Sequence, residues 1–240
     1  MYSLLLACTA LATAILSGVF GMAGGMVLMG VYAALLPVAT AMVLHGATQL
    51  LANGLRAAIL WRDIYWRGLR FYLVGALTAF ALLFQLRYVP DQGVVFLGLG
   101  LAPFVAALLP ARLLDFERPA AAVLCGAQVT AVQLLAGAAG PLLDVAFVET
   151  RISRTQVVAT KAITQVFSHT LKLVYFIPLM ASGAPAVETV LAILIATLIG
   201  TVMGTRILAR LTDHTFRVWS RYIIHGIGAF YLYKACFVLL

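Results

Sequence analysis

Apolar stretches of about 20 residues, the length of helix that crosses a hydrocarbon core, recur along the whole of this 240-residue chain and are broken only by short polar connections. An open sheet in lipid would leave backbone groups unpaired, so each stretch has to be helical. Charged or proline-bearing connections divide the chain into apolar units of roughly 3–36, 39–61, 67–87, 93–110, 119–148, 156–180, 187–209 and 217–240. With 64% hydrophobic against 10% charged residues and a mean hydropathy of +1.06, the composition lies far outside that of soluble domains. The expected class is an all-α polytopic membrane protein.

A net charge of +8 would point to nucleic acid in a soluble chain. Here the arginines sit mostly in short connections, where positive residues hold loops on the cytoplasmic side. The bilayer is therefore the expected partner, and nucleic acid is not. The opening Ser3–Ala14 stretch resembles the apolar part of a signal peptide but lacks a basic segment before it, and apolar sequence continues to Leu36. It is read as a retained membrane element. Cys8, Cys125 and Cys236 stand alone on apolar segments without CxxC spacing, as small packing residues.

Two units, 3–36 and 119–148, are longer than an ordinary span, and glycines interrupt both, at 18–25 and 137–141. A shift of 116 places Gly21, Ala23 and Gly24 on Gly137, Ala139 and Gly140, and without a gap places HGATQLLANGLR (45–56) on KAITQVFSHTLK (161–172). Thr48 then falls on Thr164, Gln49 on Gln165, Asn53 on His169 and Arg56 on Lys172. Scarce polar residues align rather than abundant leucines, so the chain reads as two membrane repeats, 1–118 and 119–240, within one integral-membrane domain.

Charge decides their expected orientation. If each glycine-broken unit simply crosses, Arg62, Arg67, Arg70, Arg112, Arg118 and Lys234 lie on one side and Arg87, Arg151, Arg154, Arg206, Arg210, Arg217 and Arg221 on the other. Six against seven is no bias. If each is a re-entrant hairpin, only Arg87 and Lys234 stay outside, eleven against two, which positive-inside asymmetry favours. The expectation is six spans, two hairpins and inverted repeats, an arrangement many secondary transporters use.

At 100° per residue, Lys161, Gln165, His169 and Lys172 fall on one helix face, flanked by Thr164 and Ser168. His45, Gln49, Asn53 and Arg56, with Thr48 beside them, repeat that spacing. A charge near the bilayer centre costs at least ~2.5 kcal/mol, so such residues face a protein interior or a wet cavity. The bland alternative has Arg56 and Lys172 near helix ends, snorkelling to the surface. Against it stands the shortage of acids: of the eight, Asp63, Asp91, Asp115, Glu117, Asp144, Glu149, Glu188 and Asp213, only Asp144 approaches the interior in this topology. One ion pair leaves two cations in need of a ligand. Arginine, lysine, amides and hydroxyls suit a small oxyanion.

The glycine breaks add positive potential of a different kind. Residues 26–36 after Gly24 and Gly25, and Pro141 onward after Gly140, are expected to start half-helices whose free N–H groups face the membrane middle. His45 and His169 read better as completing hydrogen bonds than as proton relays. Asp144 either pairs Lys161 or caps a half-helix. Trp61, Tyr65 and Trp66 beside Arg62 and Arg67 form an interfacial anchor. No metal-ligand spacing involves His214 or His225, no nucleotide-binding fingerprint occurs, no cofactor is expected, and no nucleophile–base pair implies an enzyme.

The run Gly18-Val-Phe-Gly-Met-Ala-Gly-Gly25, then Pro37, Ala47-Thr48-Gln49 and Asp63-Ile-Tyr-Trp66 resembles the TauE/SafE family of sulfite-exporter-like membrane permeases. Gly137-Ala-Ala-Gly140 and the segment from Thr155 to Gln165 fit that family's duplicated organisation. The resemblance covers most of the chain. It implies a bacterial inner-membrane transporter, in the export direction, of small sulfur-containing anions such as sulfite or organosulfonates. Ala23, where the family often has another glycine, and Gln49, where serine is frequent, bear on which anion. The expected substrate site is Arg56, Lys161 and Lys172 with His45, Thr48, Gln49, Asn53, Thr164, Gln165 and His169 orienting oxygens. Lys172→Met is expected to abolish binding while leaving folding intact or improved. The alternative function is an anion channel or a non-transporting assembly protein. The sequence leaves the anion, the coupling ion and the oligomeric state open, a homodimer among the possibilities.

Overall fold

The computed structural model describes residues 2–20, 22–180, 185–208 and 213–239; Gly21 and Arg210, and the side chains of Asp213, His214, Arg217 and Arg221, lie outside the described set. Among the described residues ten α-helices follow one another: α1 (Tyr2–Phe20), α2 (Ala23–Leu35), α3 (Val38–Ile59), α4 (Trp66–Leu86), α5 (Gln92–Leu108), α6 (Pro119–Ala136), α7 (Gly140–Val145), α8 (Arg154–Phe176), α9 (Val187–Leu208) and α10 (Asp213–Leu239). No strand occurs among the described residues.

Local chemistry sets the ends. Ser153 and Gln156 form a reciprocal capping box at the start of α8, and Asp91 accepts from Val94 N at the start of α5, each supplying an acceptor to otherwise unpaired N–H groups. Gly137 closes α6 with φ at 81°, a conformation in which a Cβ is strained. The two glycine-broken units each give a long leg and a short one: α1 of 19 residues then α2 of 13, and α6 of 18 then α7 of 6. The first half-helix thus begins at Ala23, three residues earlier than expected, and the second is a turn and a half.

Among the described residues four helices, α4, α6, α9 and most of α10, are long and apolar enough to cross a membrane. That differs from the six expected spans for two reasons. The helices α3 and α8 have 22 and 23 residues, enough for about 33 Å, but their polar stripes lower the hydropathy; α5 has only 17. Conversely α6, expected as part of a hairpin, is span-length on its own. The outer surface is greasy, with Val74, Leu77 and Leu82 on α4, Leu191, Ile195 and Ile199 on α9, and Phe230 and Phe237 on α10 all exposed. Such a surface is stable only in lipid. Cys125 packs inside, whereas Cys8 and Cys236 are exposed on this surface, and all three are free thiols.

The main packing pairs are α1 with α9, α4 with α6, α3 with α8, and α5 with α10. The shift of 116 turns the first pair into the second and the last two into themselves. Glycine makes the first two possible. A Cβ on Gly18 or Gly200 would strike α9 or α1 backbone, and one on Gly75 or Gly126 would strike α6 or α4 backbone. Leu11 opposes Gly200 while Gly18 opposes Gly204, and Phe116 opposes Gly68 while Val123 opposes Gly75, so both pairs run parallel. In α5 and α10, Gly93 meets Leu239 while Phe104 meets His225, and in α3 and α8, His45 meets Lys172 while Tyr65, just past α3, bonds Thr160. Those pairs run antiparallel.

Each glycine-broken unit comes back to the end it left. Ser3 near the start of α1 bonds Thr189 at the start of α9, and at the close of α2 Ala33 O accepts from Gln92 at the start of α5. After α7, Ala146 O accepts from Phe116 N, and Arg151 N donates to Glu117, both just before α6. Connections 60–65, 109–118 and 146–153 consequently cluster at one end, tied by Arg112 to Glu149 at 3.5 Å. Two core clusters result, one around Met26, Met29 and Tyr32 of α2 and one around Leu142, Leu143 and Phe147 at α7.

Candidate functional site

Antiparallel packing of α3 on α8 turns both polar stripes toward one cavity of about 1050 Å³. His45, Thr48, Gln49, Asn53 and Arg56 line it from α3, and Lys161, Gln165 and His169 from α8. The glycine breaks reach it through Met22, Gly25, Ala139 and Gly140, and neither short helix has a side-chain cap on its first N–H groups. The mouth, at Leu60, Arg154 and Arg206, lies at the end that holds the basic connections. The floor, at Gly25, His45, Ala138 and His169, lies deep in the helix bundle.

Sequence patterning explains the alignment. Spacings of four and three residues put the stripe on one helix face, and the remaining faces of α3 and α8 are apolar enough to pack outward. Asn53 Nδ2 donates to Gln49 O at 2.9 Å, and Arg56 reaches Asn53 Oδ1 at 3.5 Å. Arg56 makes no ion pair among the described residues. Lys161, in contrast, is paired with Asp144 of α7, which settles the role of that acid.

Lys172 is fully buried and lies outside the cavity wall. Its Nζ donates at 2.8 Å to Gly137 O and at 2.8 Å to His45 Nδ1, with Met29 Sδ at 3.9 Å. The other imidazole nitrogen, Nε2, donates to Gly25 O at 2.9 Å, which fixes the proton on that atom. One ammonium thus ties α8 to α3, to the second glycine break and, through His45, to the first. It closes the bundle beneath the floor. His169 is likewise bonded on both sides, by Gln133 at 3.0 Å and Gln165 at 3.1 Å, and its ring centroid is 5.4 Å from that of His45.

Of the remaining expected residues, Thr164 is buried and donates to Lys161 O, away from the cavity. Gly24 packs on Thr13 and Ser17 of α1, and Gly137 and Pro141 are buried in the second break. Sequence reasoning missed Gln133, Arg154 and Arg206, and also Thr197, Thr201 and Thr205, which all line the cavity. The last three repeat every four residues ahead of Arg206, a polar stripe within an otherwise apolar helix that was there to be read.

An all-helical bundle with an apolar outer surface, around a cavity whose mostly apolar walls carry two polar stripes with Arg56 and Lys161, is that of a polytopic integral membrane protein. The chain matches the family model described as Sulfite exporter TauE/SafE over residues 5–231 and belongs to that family, one of membrane transporters rather than enzymes. Comparison with curated proteins and with solved structures returns no match.

Proposed function

We propose that this chain is a secondary transporter of the bacterial inner membrane that exports small sulfur-containing anions, of the sulfite and organosulfonate class, by alternating access. The observation that carries the reading is the cavity itself: about 1050 Å³, walled by both polar stripes, with Arg56 lacking an acidic partner among the described residues and two uncapped helix starts facing in. Arg56 supplies charge and a planar fork of donors, while Gln49, Asn53, Gln165 and Thr48 orient oxygens.

We further propose inverted repeats, each a glycine-broken hairpin followed by three spanning helices. Three features support this: equivalent helices α3 and α8 run antiparallel, the packing pairs map onto one another under the shift of 116, and each broken unit returns to its starting end. The same symmetry exchanges the pair Arg56 and Lys161 at the open end with Lys172 and His45 at the closed end. In the opposite state Lys172 faces an open cavity and Arg56 a closed one, so one substrate passes from cation to cation. The mouth on the basic end is the cytoplasmic entry under the positive-inside rule. A bundle closed below by Lys172 speaks against a continuous anion channel.

Counterflow in proteoliposomes tests the reading, with labelled sulfite, sulfoacetate, taurine and a carboxylate control. Saturable exchange of one sulfur anion supports a carrier. Exchange of none, from protein shown to be folded, overturns it.

A further inference from the structure

The cavity floor holds a row of three polar side chains that the transport reading leaves partly unused. Gln133 of α6 is 1% exposed and Gln165 of α8 4% exposed, and both line the cavity with His169 between them. A neutral imidazole has one donor and one acceptor nitrogen. Gln133 Nε2 therefore donates to His169 Nδ1 at 3.0 Å, and His169 Nε2 donates to Gln165 Oε1 at 3.1 Å. Each amide is left with one atom in hand. Gln133 Oε1 and Gln165 Nε2 are buried and have no hydrogen-bond partner. Turning both amides over and moving the ring proton reverses the row, yet it still ends in one open donor and one open acceptor.

Buried polar atoms without partners are rare and costly, and two of them on one cavity wall point to a ligand. We propose that the row is a subsite for an oxyanion that also carries its own hydrogen-bond donor. An anionic oxygen accepts from the Gln165 amide N–H, and the ligand's O–H donates to the Gln133 carbonyl oxygen. A fully ionised anion without an O–H satisfies the first atom only and sets negative charge against the second. Two sources offer this chemistry: a hydroxyl on carbon, as in a hydroxyalkanesulfonate, and a protonated oxyanion, as in hydrogensulfite. The proposal rests on the cavity's being an anion site and adds which anion it favours.

Calorimetry on the full-length purified protein in detergent tests it. One arm compares 2-hydroxyethanesulfonate with ethanesulfonate; the other titrates sulfite below and above its second ionisation. A preference of about tenfold or more for the hydroxyl-bearing partner is expected in at least one arm, since a site built to bond a hydroxyl rejects the analogue lacking it. The arm that discriminates identifies the source. In Gln133→Leu the preference falls to about one, because the open acceptor has gone together with the amide's bond to His169; Gln133→Met serves if the leucine variant does not fold. Equal affinity in both arms for the wild type, or an undiminished preference in the variant, overturns the subsite alone. Absence of binding by every anion overturns the cavity reading and the subsite with it.

Discussion

Lys172 Nζ lies 2.8 Å from Nδ1 of His45, an ammonium bonded to an imidazole on a different helix with no carboxylate beside it. Its second bond, to Gly137 O, makes it the post between both glycine breaks. Those partners change what Lys172→Met does to stability. Removing an isolated buried charge would be neutral or stabilising, but here the substitution strands a carbonyl and an imidazole acceptor. The expected loss is about 1–3 kcal/mol, seen as a lower melting temperature in detergent. A variant that melts at or above the wild-type temperature contradicts the post.

Arg56→Gln keeps the fold, because the side chain is only half-buried and its one bond, to Asn53, is long at 3.5 Å. It removes a cavity cation that has no acidic partner among the described residues. Anion affinity is expected to fall about tenfold to a hundredfold, the worth of one charge-assisted bond of ~1.5–3 kcal/mol. Equilibrium binding of sulfite to both proteins is the check, and unchanged affinity moves the site elsewhere in the cavity.

The ion pair of Lys161 with Asp144 separates two roles for the lysine. If Lys161 acts by neutralising Asp144, Lys161→Met leaves an unpaired carboxylate behind the cavity wall and abolishes exchange, and adding Asp144→Asn restores it to within about threefold. A double variant as inactive as the single one places Lys161 directly on the anion.

Gly137→Ala is expected to destabilise by about 1–2 kcal/mol, since φ there is 81° and the new Cβ meets the Met29 side chain. Gly25→Ala is the control: the nearest atom to its Cβ is Gln49 Nε2 at 3.5 Å, ordinary contact. Melting curves of the two variants should separate; equal melting removes the strain account.

Sidedness can be read with one cysteine. Ala52 lines the cavity between the floor and the Arg56 level. With Cys8, Cys125 and Cys236 replaced by serine, Ala52→Cys should react with an impermeant thiol reagent applied from the side of the Arg62 connection and be protected from the other. The reverse pattern inverts the cavity's direction.

Most of the site was legible because its residues are anomalies where they stand. A lysine or arginine in an apolar run has to be accounted for, and four-residue spacing assigns it a face. Of the residues on the two predicted stripes, His45, Gln49, Asn53, Arg56, Lys161, Gln165 and His169 line one cavity, while Lys172 is sealed outside its wall. Gln133 escaped because the other amide of α6, Gln128, stands five residues away and off its face, so no periodic stripe marks it. Thr164 has the right residue type and spacing yet bonds back into its own helix, and nothing in the spacing distinguishes it from Thr48.

The sequence by itself determined the class. Hydropathy forces helices in lipid, and the 116-residue shift pairs scarce polar residues whatever the packing. What only the tertiary structure decided is how the cations are used. Lys161, Lys172 and Arg56 look alike along the chain, but one is paired with Asp144, one is sealed beneath the floor and one is left open in the cavity. Charge neutralisation depends on distances of a few ångströms between α7, α8 and α3, and only the packing of these helices in the bundle sets them.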